Sequence, residues 1–252
     1  MNQILVTKKL YITPELKRKK KIYKVDFILS IFLVCILTSL YIYAEYDRNK
    51  SEEVSQEILA DMSEKISTTE DKTVAQDDIL LVVLDGTTED YNPIEEIPNI
   101  ALVNQQAETK TTQNGYRYKS IATIEIPKIN LNYPILQGET GSAEETETLL
   151  KMSPCKYHGP EPNEVGNFCV VGHNYRNSKF FSKVPTLVAG DTIKITDLTG
   201  RTITYVVYDK YTVDPSDTSC TTQLTGGKKE VTIITCTDDS KLRVVVKCKE
   251  VK

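Results

Sequence analysis

Short apolar runs separated by turn-forming residues dominate the chain from Tyr116 onward. Each run is four to seven residues long, and Gly, Pro, Asp and Asn stand between them. The runs are Ile121–Ile126, Leu131–Leu136, Phe168–Val171, Thr192–Ile195, Thr202–Val207, Val231–Ile234 and Leu242–Val246. Short, β-branched runs at this spacing are typical of the strands of a β-sandwich or barrel. The pattern therefore predicts an all-β domain over residues 116–252.

One stretch of this region has the pattern of a helix. Three acidic residues come early in Ala143–Met152 and two leucines follow them. Carboxylates in a first helical turn interact favourably with the helix dipole. We therefore interpret Glu144, Glu145 and Glu147 as structural rather than as a calcium site. No metal and no cofactor is expected.

The N-terminal part of the chain has a different pattern. Phe27–Ala44 is an uncharged apolar run of eighteen residues. Once Val25 is included, the run is long enough to cross a bilayer as a helix. Six Lys and Arg residues lie between Lys17 and Lys24. The positive-inside rule then places residues 1–24 in the cytoplasm and the C-terminal bulk outside the cell. A cleaved secretory signal is the alternative, but the apolar core is long for one and no A-x-A site follows it.

Charge divides the chain into unlike parts. Residues 1–44 carry eight basic and two acidic residues, whereas residues 45–115 carry five basic and seventeen acidic ones. Self-repulsion favours an extended or partly disordered acidic stalk over residues 45–115. The apolar run Ile79–Leu84 interrupts it and is interpreted either as an element docked on the β domain or as a cover for its functional groove. Because the basic run adjoins the apolar span, nucleic-acid binding is not expected.

Five of the six cysteines have sequence surroundings that indicate neither a reactive thiol nor a metal site. Cys35 lies in the apolar span, and the others lack the paired spacing of a zinc site or a disulfide framework. Cys169 is interpreted as a small buried hydrophobe. A disulfide among Cys155, Cys220 and Cys248 stays open, because sequence cannot choose the pair.

Cys236 is placed differently from the other cysteines. It ends an apolar run, a turn-forming stretch follows, and Arg243 comes seven residues later near the start of the next run. A hairpin can bring the thiol and the guanidinium face to face. A nearby cation favours the thiolate and can also neutralise a developing oxyanion. The sequence therefore predicts Cys236 as a nucleophile with Arg243 as its partner.

A base is the missing partner, and the chain has two histidines. His158 lies in a Pro- and Gly-rich stretch and is interpreted as solvated. His173 follows a strand-like run at the point where it gives way to a loop, where functional side chains concentrate. No carboxylate is evident beside His173, and Asp238 and Asp239 are expected to face solvent. The predicted set is therefore a histidine–cysteine pair plus an arginine.

The order of these residues resembles the sortase family of Gram-positive cell-surface cysteine transpeptidases. The family signature T-L-x-T-C appears as Thr232-Ile233-Ile234-Thr235-Cys236, with isoleucine in place of leucine. The similarity runs from about Tyr116 to Lys252 and includes IATIEIPKINLNYPIL and FFSKVPTLVAGDTIKITDLTGRTITYVVYDKYTV. The connection between Val207 and Val231 is too short for the long helix of class B sortases, which favours the A-, D- or E-like forms.

The resemblance implies a closed sortase-type β-barrel with short helices, preceded by a transmembrane anchor over residues 25–44. It implies cleavage of an LPxTG-like sorting signal at Thr-Gly through a thioacyl-enzyme, and transfer to a peptidoglycan-precursor or pilin amine. Cys236 is the expected nucleophile, His173 the acid and base, and Arg243 the oxyanion donor, while Thr235 either positions the substrate or packs. The partners implied are surface proteins with C-terminal sorting signals. Alternatives are a silent surface-binding or pilus-assembly module and a purely hydrolytic cysteine protease.

Overall fold

The computed structural model describes residues 14–74 and 108–251, so the expectation for residues 79–84 lies outside the described residues. The chain divides into two compact units, residues 1–50 and residues 51–252. A helix, α1, begins at Pro14 and ends at Val74. The part of it from Lys17 to Ser67 contains a window that is long and apolar enough to cross a membrane, and none of that window is buried in the protein. This helix is the candidate membrane anchor.

Residues 45–74 are helical, whereas the acidic composition led us to expect an extended or partly disordered chain. Ile58, Leu59 and Met62 explain the difference. They recur at helical spacing and all three are buried. Ile58 packs into an apolar cluster with Leu136 and Leu149. Each fully buried side chain of this kind contributes roughly 1.5–3 kcal/mol, which offsets the repulsion among the exposed carboxylates.

Nine strands form one sheet. They are β1 (Lys110–Thr111), β2 (Arg117–Ile126), β3 (Leu131–Gly138), β4 (Cys155–His158), β5 (Gly166–Val171), β6 (Thr192–Asp197), β7 (Thr202–Val213), β8 (Lys229–Cys236) and β9 (Arg243–Glu250). Their order is β1-β2-β3-β4-β5-β8-β9-β7-β6, and β2 also pairs with β6. Strands β2 to β9 therefore close into an eight-stranded barrel, which confirms the predicted all-β barrel. A barrel of eight strands is just wide enough for side chains to fill it.

Alternation along the strands separates the barrel interior from a covered outer face. Val231 and Ile233 of β8 point into the main core. Ile234 lies on the other face of β8, where it clusters with Val245 of β9 and with Cys220. Because Cys220 belongs to the connection between β7 and β8, that connection covers the outside of the barrel beside the C-terminal end of β8.

The predicted strands agree with the structure except at the two-residue strand β1, which lies in the predicted stalk, and at β4. Six of the seven apolar runs lie wholly in observed strands, and the seventh, Leu242–Val246, begins one residue before β9. Strand β4 was not predicted because only Cys155 in it is fully buried. The predicted helix is observed as α2 (Ala143–Leu150), and the Ser142 side chain accepts a hydrogen bond from the Glu145 N–H at 3.2 Å. A hydroxyl in this position stabilises a helix N-terminus.

The cysteines are all free, and each of the six lies within the described residues. Cys155, Cys169, Cys220 and Cys248 are buried. Burial raises the pKa of the Cys169 thiol to about 12. These four thiols are therefore unreactive small core residues at neutral pH, as expected for Cys169.

Candidate active site

Cys236 and Arg243 face each other across the β8–β9 hairpin. They are the last residue pair of the antiparallel register, and the Arg243 Nη1 donates a hydrogen bond to the Cys236 Sγ at 3.2 Å. The turn between them is closed by the Thr237 N–H, which donates to the Leu242 carbonyl at 3.0 Å. The predicted meeting of these two side chains is present in the structure, and a hairpin is the local reason for it.

The third residue reaches the same place through parallel pairing. Strands β5 and β8 run parallel, and Val171 is the register partner of Ile234. The pairing continues beyond β5, because the Gly172 N–H donates to the Ile234 carbonyl at 3.1 Å. His173 therefore emerges beside the end of β8, where Cys236 lies.

Asn174 ties the two sides of the site together. Its side-chain amide donates to the Cys236 carbonyl at 2.9 Å and to the Asp238 Oδ1 at 3.0 Å. Asp238 is exposed, as expected, but the role of Asn174 was not predicted. The position of Asn174 directly after His173 was the only local signal.

Glu147 of α2 lies beside the imidazole, although no carboxylate was evident there in the sequence. Its Oε1 is 3.7 Å from the His173 Nε2. That distance is too long for a hydrogen bond, and the Glu147 side chain is 62% exposed against 24% for His173. The contact is loose, it becomes an ion pair only when His173 is protonated, and it is not the buried hydrogen bond of a three-membered relay. Glu147 thus belongs to the site and not only to the helix terminus.

The surroundings of His173 act on its pKa in opposite directions. Burial is the largest influence and lowers the pKa, Glu147 raises it, and the cations of Lys151 and Arg243 lower it. The net effect is a pKa below the ordinary value of 6.5. The imidazole is therefore mostly neutral at pH 7 in the free protein, so that it can accept a proton.

A groove of about 510 Å³ adjoins these residues. Val171 and Ile234 supply apolar lining, Arg243 stands at the reactive end, and the connection between β7 and β8 forms a wall through Thr218 and Cys220. The other lining residues are Gly141, Ala143, Thr146, Glu147, Leu150, Lys156, Tyr157, Val213, Pro215, Asp217 and Thr221. A groove with an apolar floor and hydroxyl groups at its wall suits an extended peptide.

Chemically, the arrangement suits acyl transfer through a thiol. The nucleophile has a cation in contact, a base that follows the neighbouring strand, and a groove lined by that cation. Among the described residues, no group of three or more His, Cys, Asp and Glu could hold a metal ion.

A family model described as the sortase domain matches residues 124–251, which is about half of the chain. The chain belongs to the sortase family. The match covers β2 from Ile124 onward and all later strands, and it includes Glu147, His173, Cys236 and Arg243. It confirms the resemblance that the signature around Cys236 indicated.

Solved structures similar to this sortase come from several sortase classes. A sortase D5 transpeptidase from Clostridium perfringens is 34% identical over 53% of this chain and 80% of that chain, with a TM-score of 0.46. Sortase C-1 from Actinomyces oris is 26% identical over 52% and 73%, with a TM-score of 0.45. A lid mutant of sortase A from Corynebacterium diphtheriae is 26% identical over 59% and 74%, with a TM-score of 0.47. A search of curated proteins found no match.

Thr235 is buried in this sortase, with 1% of its surface exposed. Its hydroxyl donates to the Gly172 carbonyl at 2.8 Å. The side chain therefore links the strand that ends at Cys236 to the residue before His173. This contact favours a role in positioning the two reactive residues, and direct substrate contact stays a prediction.

His158 is exposed and lies at the end of β4 rather than in a loop. It lines a second cavity of about 650 Å³, which shares Gly141, Thr146, Lys156 and Tyr157 with the groove. Arg243 is among the lining residues of the groove and not of this second cavity. The interpretation of His158 as a solvated residue agrees with this position.

Proposed function

We propose that this sortase is a membrane-anchored cysteine transpeptidase. It cleaves an LPxTG-like sorting signal between Thr and Gly and transfers the new acyl group to an amine. The observation that carries the proposal is the 3.2 Å contact between the Arg243 Nη1 and the Cys236 Sγ, in which Arg243 also lines the groove. A fixed cation in contact with a thiol makes the thiol a better nucleophile. The same cation can stabilise an oxyanion that forms beside it.

Each of the three side chains has one role in the proposed reaction. Neutral His173 takes the proton of the Cys236 thiol, and the resulting thiolate attacks the carbonyl carbon of the Thr-Gly bond, whose oxygen becomes negative. Arg243 donates a hydrogen bond to that oxygen. Protonated His173 gives its proton to the leaving Gly amine as the C–N bond breaks, which leaves a thioacyl-enzyme.

The second half of the reaction uses the same residues in reverse. An incoming amine attacks the thioacyl carbonyl, neutral His173 accepts the proton of that amine, and Cys236 leaves as a thiolate. The lowered pKa of His173 supports this step, because an unprotonated imidazole is needed to accept the proton. The acceptor we propose is a peptidoglycan-precursor amine or a pilin amine.

The cellular setting follows from the N-terminal helix and its flanking charge. The apolar window of α1 is a candidate membrane anchor, and the basic residues between Lys17 and Lys24 precede it. We propose a single-pass protein of the cell membrane with residues 1–24 in the cytoplasm and the catalytic domain outside. Its partners would be surface proteins with C-terminal sorting signals.

A peptide assay on the full-length protein in detergent micelles tests the proposal. A library of fluorogenic LPxTG-like peptides is incubated with and without glycine- and lysine-based amines, and the products and the enzyme are analysed by mass spectrometry. We expect cleavage at Thr-Gly, a thioacyl adduct on Cys236, and an amide product that replaces the acid as amine is added.

Cys236→Ala removes the nucleophile, and Cys35→Ala in the apolar helix is the matched control. Cys236→Ala should lose both the adduct and the product, whereas Cys35→Ala should keep both. Residual transfer in Cys236→Ala would refute the assignment. Release of the acid alone at saturating amine would indicate a hydrolytic protease, and peptide binding without cleavage would indicate a silent binding module.

A further inference from the structure

A helical segment that precedes the barrel in sequence is packed against it. We refer to residues 51–67 of α1 as the docked helix. Ser55 is fully buried and its hydroxyl is 3.0 Å from the Ser153 hydroxyl. Asp61 forms an ion pair with Lys110 at 2.7 Å. Together with the buried side chain of Met62, these contacts make the docked helix part of the catalytic domain.

Both carboxylate oxygens of Glu52, in the docked helix, contact side chains of the barrel. Its Oε1 accepts a hydrogen bond from the Tyr133 hydroxyl at 3.1 Å, and its Oε2 lies 2.8 Å from the Lys179 Nζ. The side chains of Glu52 and Lys179 are only 30% and 18% exposed. A partly buried ion pair with an additional hydrogen bond is screened less than a surface pair. Glu52 therefore holds two groups of the barrel in fixed positions.

Lys179 belongs to the histidine loop, which we define as residues 173–182. Tyr133 of β3 reaches the same loop, because its hydroxyl accepts a hydrogen bond from the Phe180 N–H at 3.2 Å and its ring stacks on the Phe180 ring at 5.1 Å. Burial and Glu52 both raise the pKa of Tyr133, which is about 12. The phenol is therefore protonated and donates to Glu52 at any physiological pH.

Phe180 has a backbone conformation that needs such support. Its φ is +49°, in the left-handed region, which is unfavourable for a residue with a bulky side chain. A conformation of this kind persists where the surroundings impose it. Tyr133 imposes it here through both its hydroxyl and its ring.

Phe180 and its neighbour are in turn connected to His173. The Phe181 N–H donates to the His173 carbonyl at 3.0 Å. The Tyr175 ring lies edge-on to Phe180 at 5.2 Å and against the imidazole of His173 at 5.1 Å. An unbroken series of contacts thus leads from the docked helix to the imidazole.

We propose that Glu52 is a positioning residue for His173 and acts through Tyr133 and Lys179 on Phe180. The proposal rests on the proposed function, in which His173 transfers the proton. Loss of the carboxylate removes the contacts that Glu52 makes with the Tyr133 hydroxyl and with Lys179. The histidine loop then samples further conformations, and the imidazole spends less time in the orientation that proton transfer requires.

The predicted kinetic effect is specific to the chemical step. The residues that line the groove include neither Glu52 nor Tyr133 nor Phe180. Substrate binding should therefore be retained while proton transfer slows. We expect Glu52→Gln to lower kcat at least fivefold and to change KM by less than twofold.

The matched control is Glu53→Gln, which removes a carboxylate from the next, exposed position of the same helix. Both variants are prepared as full-length protein in detergent micelles, and their kcat and KM are measured with the sorting-signal peptide. Glu53→Gln should match the unmodified protein. Tyr133→Phe should resemble Glu52→Gln, and the double variant should lose no more than the larger single variant, because both changes interrupt one series of contacts.

A second readout does not require activity. Histidine labelled with ¹³C gives two imidazole signals, and His158→Gln identifies the one from His173. Glu52→Gln and Tyr133→Phe should shift or broaden the His173 signal and leave the His158 signal unchanged, whereas Glu53→Gln should move neither. If the unmodified protein transfers no acyl group, the proposed function fails while this measurement still tests the coupling.

Two results would overturn the proposal. One is an unchanged His173 signal together with an unchanged kcat in Glu52→Gln and Tyr133→Phe. The other is a loss of kcat that is fully matched, in both variants, by a loss of folded protein in circular dichroism. A lower kcat in folded protein with a perturbed His173 signal supports it.

Discussion

The guanidinium of Arg243 lies within 3.2 Å of the Cys236 sulfur because the two residues are the last register pair of β8 and β9. The contact is therefore a property of the hairpin and needs no movement to form. It places a cation against the thiol. The parallel pairing of β5 with β8 brings His173 to the same end of β8.

Replacement of Arg243 by lysine tests whether the shape of the donor matters. An ammonium keeps the charge but cannot reproduce the planar fork of the guanidinium. Loss of a fixed oxyanion donor lowers kcat by roughly 10²–10³-fold. We expect Arg243→Lys to approach this loss, as measured by steady-state peptide cleavage. Arg117→Lys, at an exposed position, is the control, and a rate near that of the unmodified protein in Arg243→Lys would contradict the proposed role.

Two substitutions on α2 and directly after it should change the pKa of His173 in opposite directions. Glu147 favours the imidazolium and Lys151 disfavours it. Glu147→Gln should therefore lower the pKa of His173 further, and Lys151→Gln should raise it, both modestly because the two groups are exposed and screened by solvent. Titration of the His173 imidazole signal measures both. Shifts of the same sign would contradict the arrangement.

Asn174 should matter for turnover although it carries no reactive group. Asn174→Ala removes the hydrogen bonds to the Cys236 carbonyl and to Asp238, which together correspond to roughly a five- to tenfold loss of kcat. Asn174→Asp should be worse, since it places a carboxylate against Asp238. Adding Asp238→Asn to Asn174→Asp should recover part of kcat, and the absence of recovery would show that Asn174 acts in another way.

The two interpretations of Thr235 make different predictions. If the hydroxyl serves only to bind the Gly172 carbonyl, Thr235→Val leaves a buried acceptor unpaired and lowers the free energy of unfolding by roughly 1–3 kcal/mol. KM should then be unchanged, and Thr235→Ser should keep the hydrogen bond and most of the activity. A raised KM in Thr235→Val with normal stability would instead indicate contact with the substrate. Guanidinium unfolding and peptide kinetics distinguish the two.

Local pattern was sufficient for most of the barrel and for one contact of the site. Most strands were predictable because short β-branched runs between turn residues strongly favour the extended conformation. The contact between Cys236 and Arg243 was predictable because the two residues are close in sequence and share one hairpin. Strand β4 was not predictable, because it has no apolar run of its own. It is a strand because its backbone pairs with β3 and β5.

Composition was misleading for the segment that follows the apolar span. The acidic residues of 45–74 indicated an extended chain, but three apolar residues at helical spacing were enough to dock this segment as a helix. A count of charges cannot show which face of a helix they occupy. Glu52 was one of those charges, and its contacts with Tyr133 and Lys179 exist only because the helix is docked.

The amino-acid sequence was sufficient for the family, for seven of the nine strands, and for Cys236 and Arg243 as a facing pair, because each strand and the facing pair depend on residues within one short stretch and the family on the order of such stretches. Only the folded barrel shows that Glu147 lies beside His173 and that Asn174 binds the Cys236 carbonyl and Asp238. Asn174 is 62 residues from Cys236 along the chain, and barrel closure sets which distant residues become neighbours. The alternation of apolar and polar residues along a strand determines which face of the strand is buried. The packing of the whole domain determines which residues that face contacts.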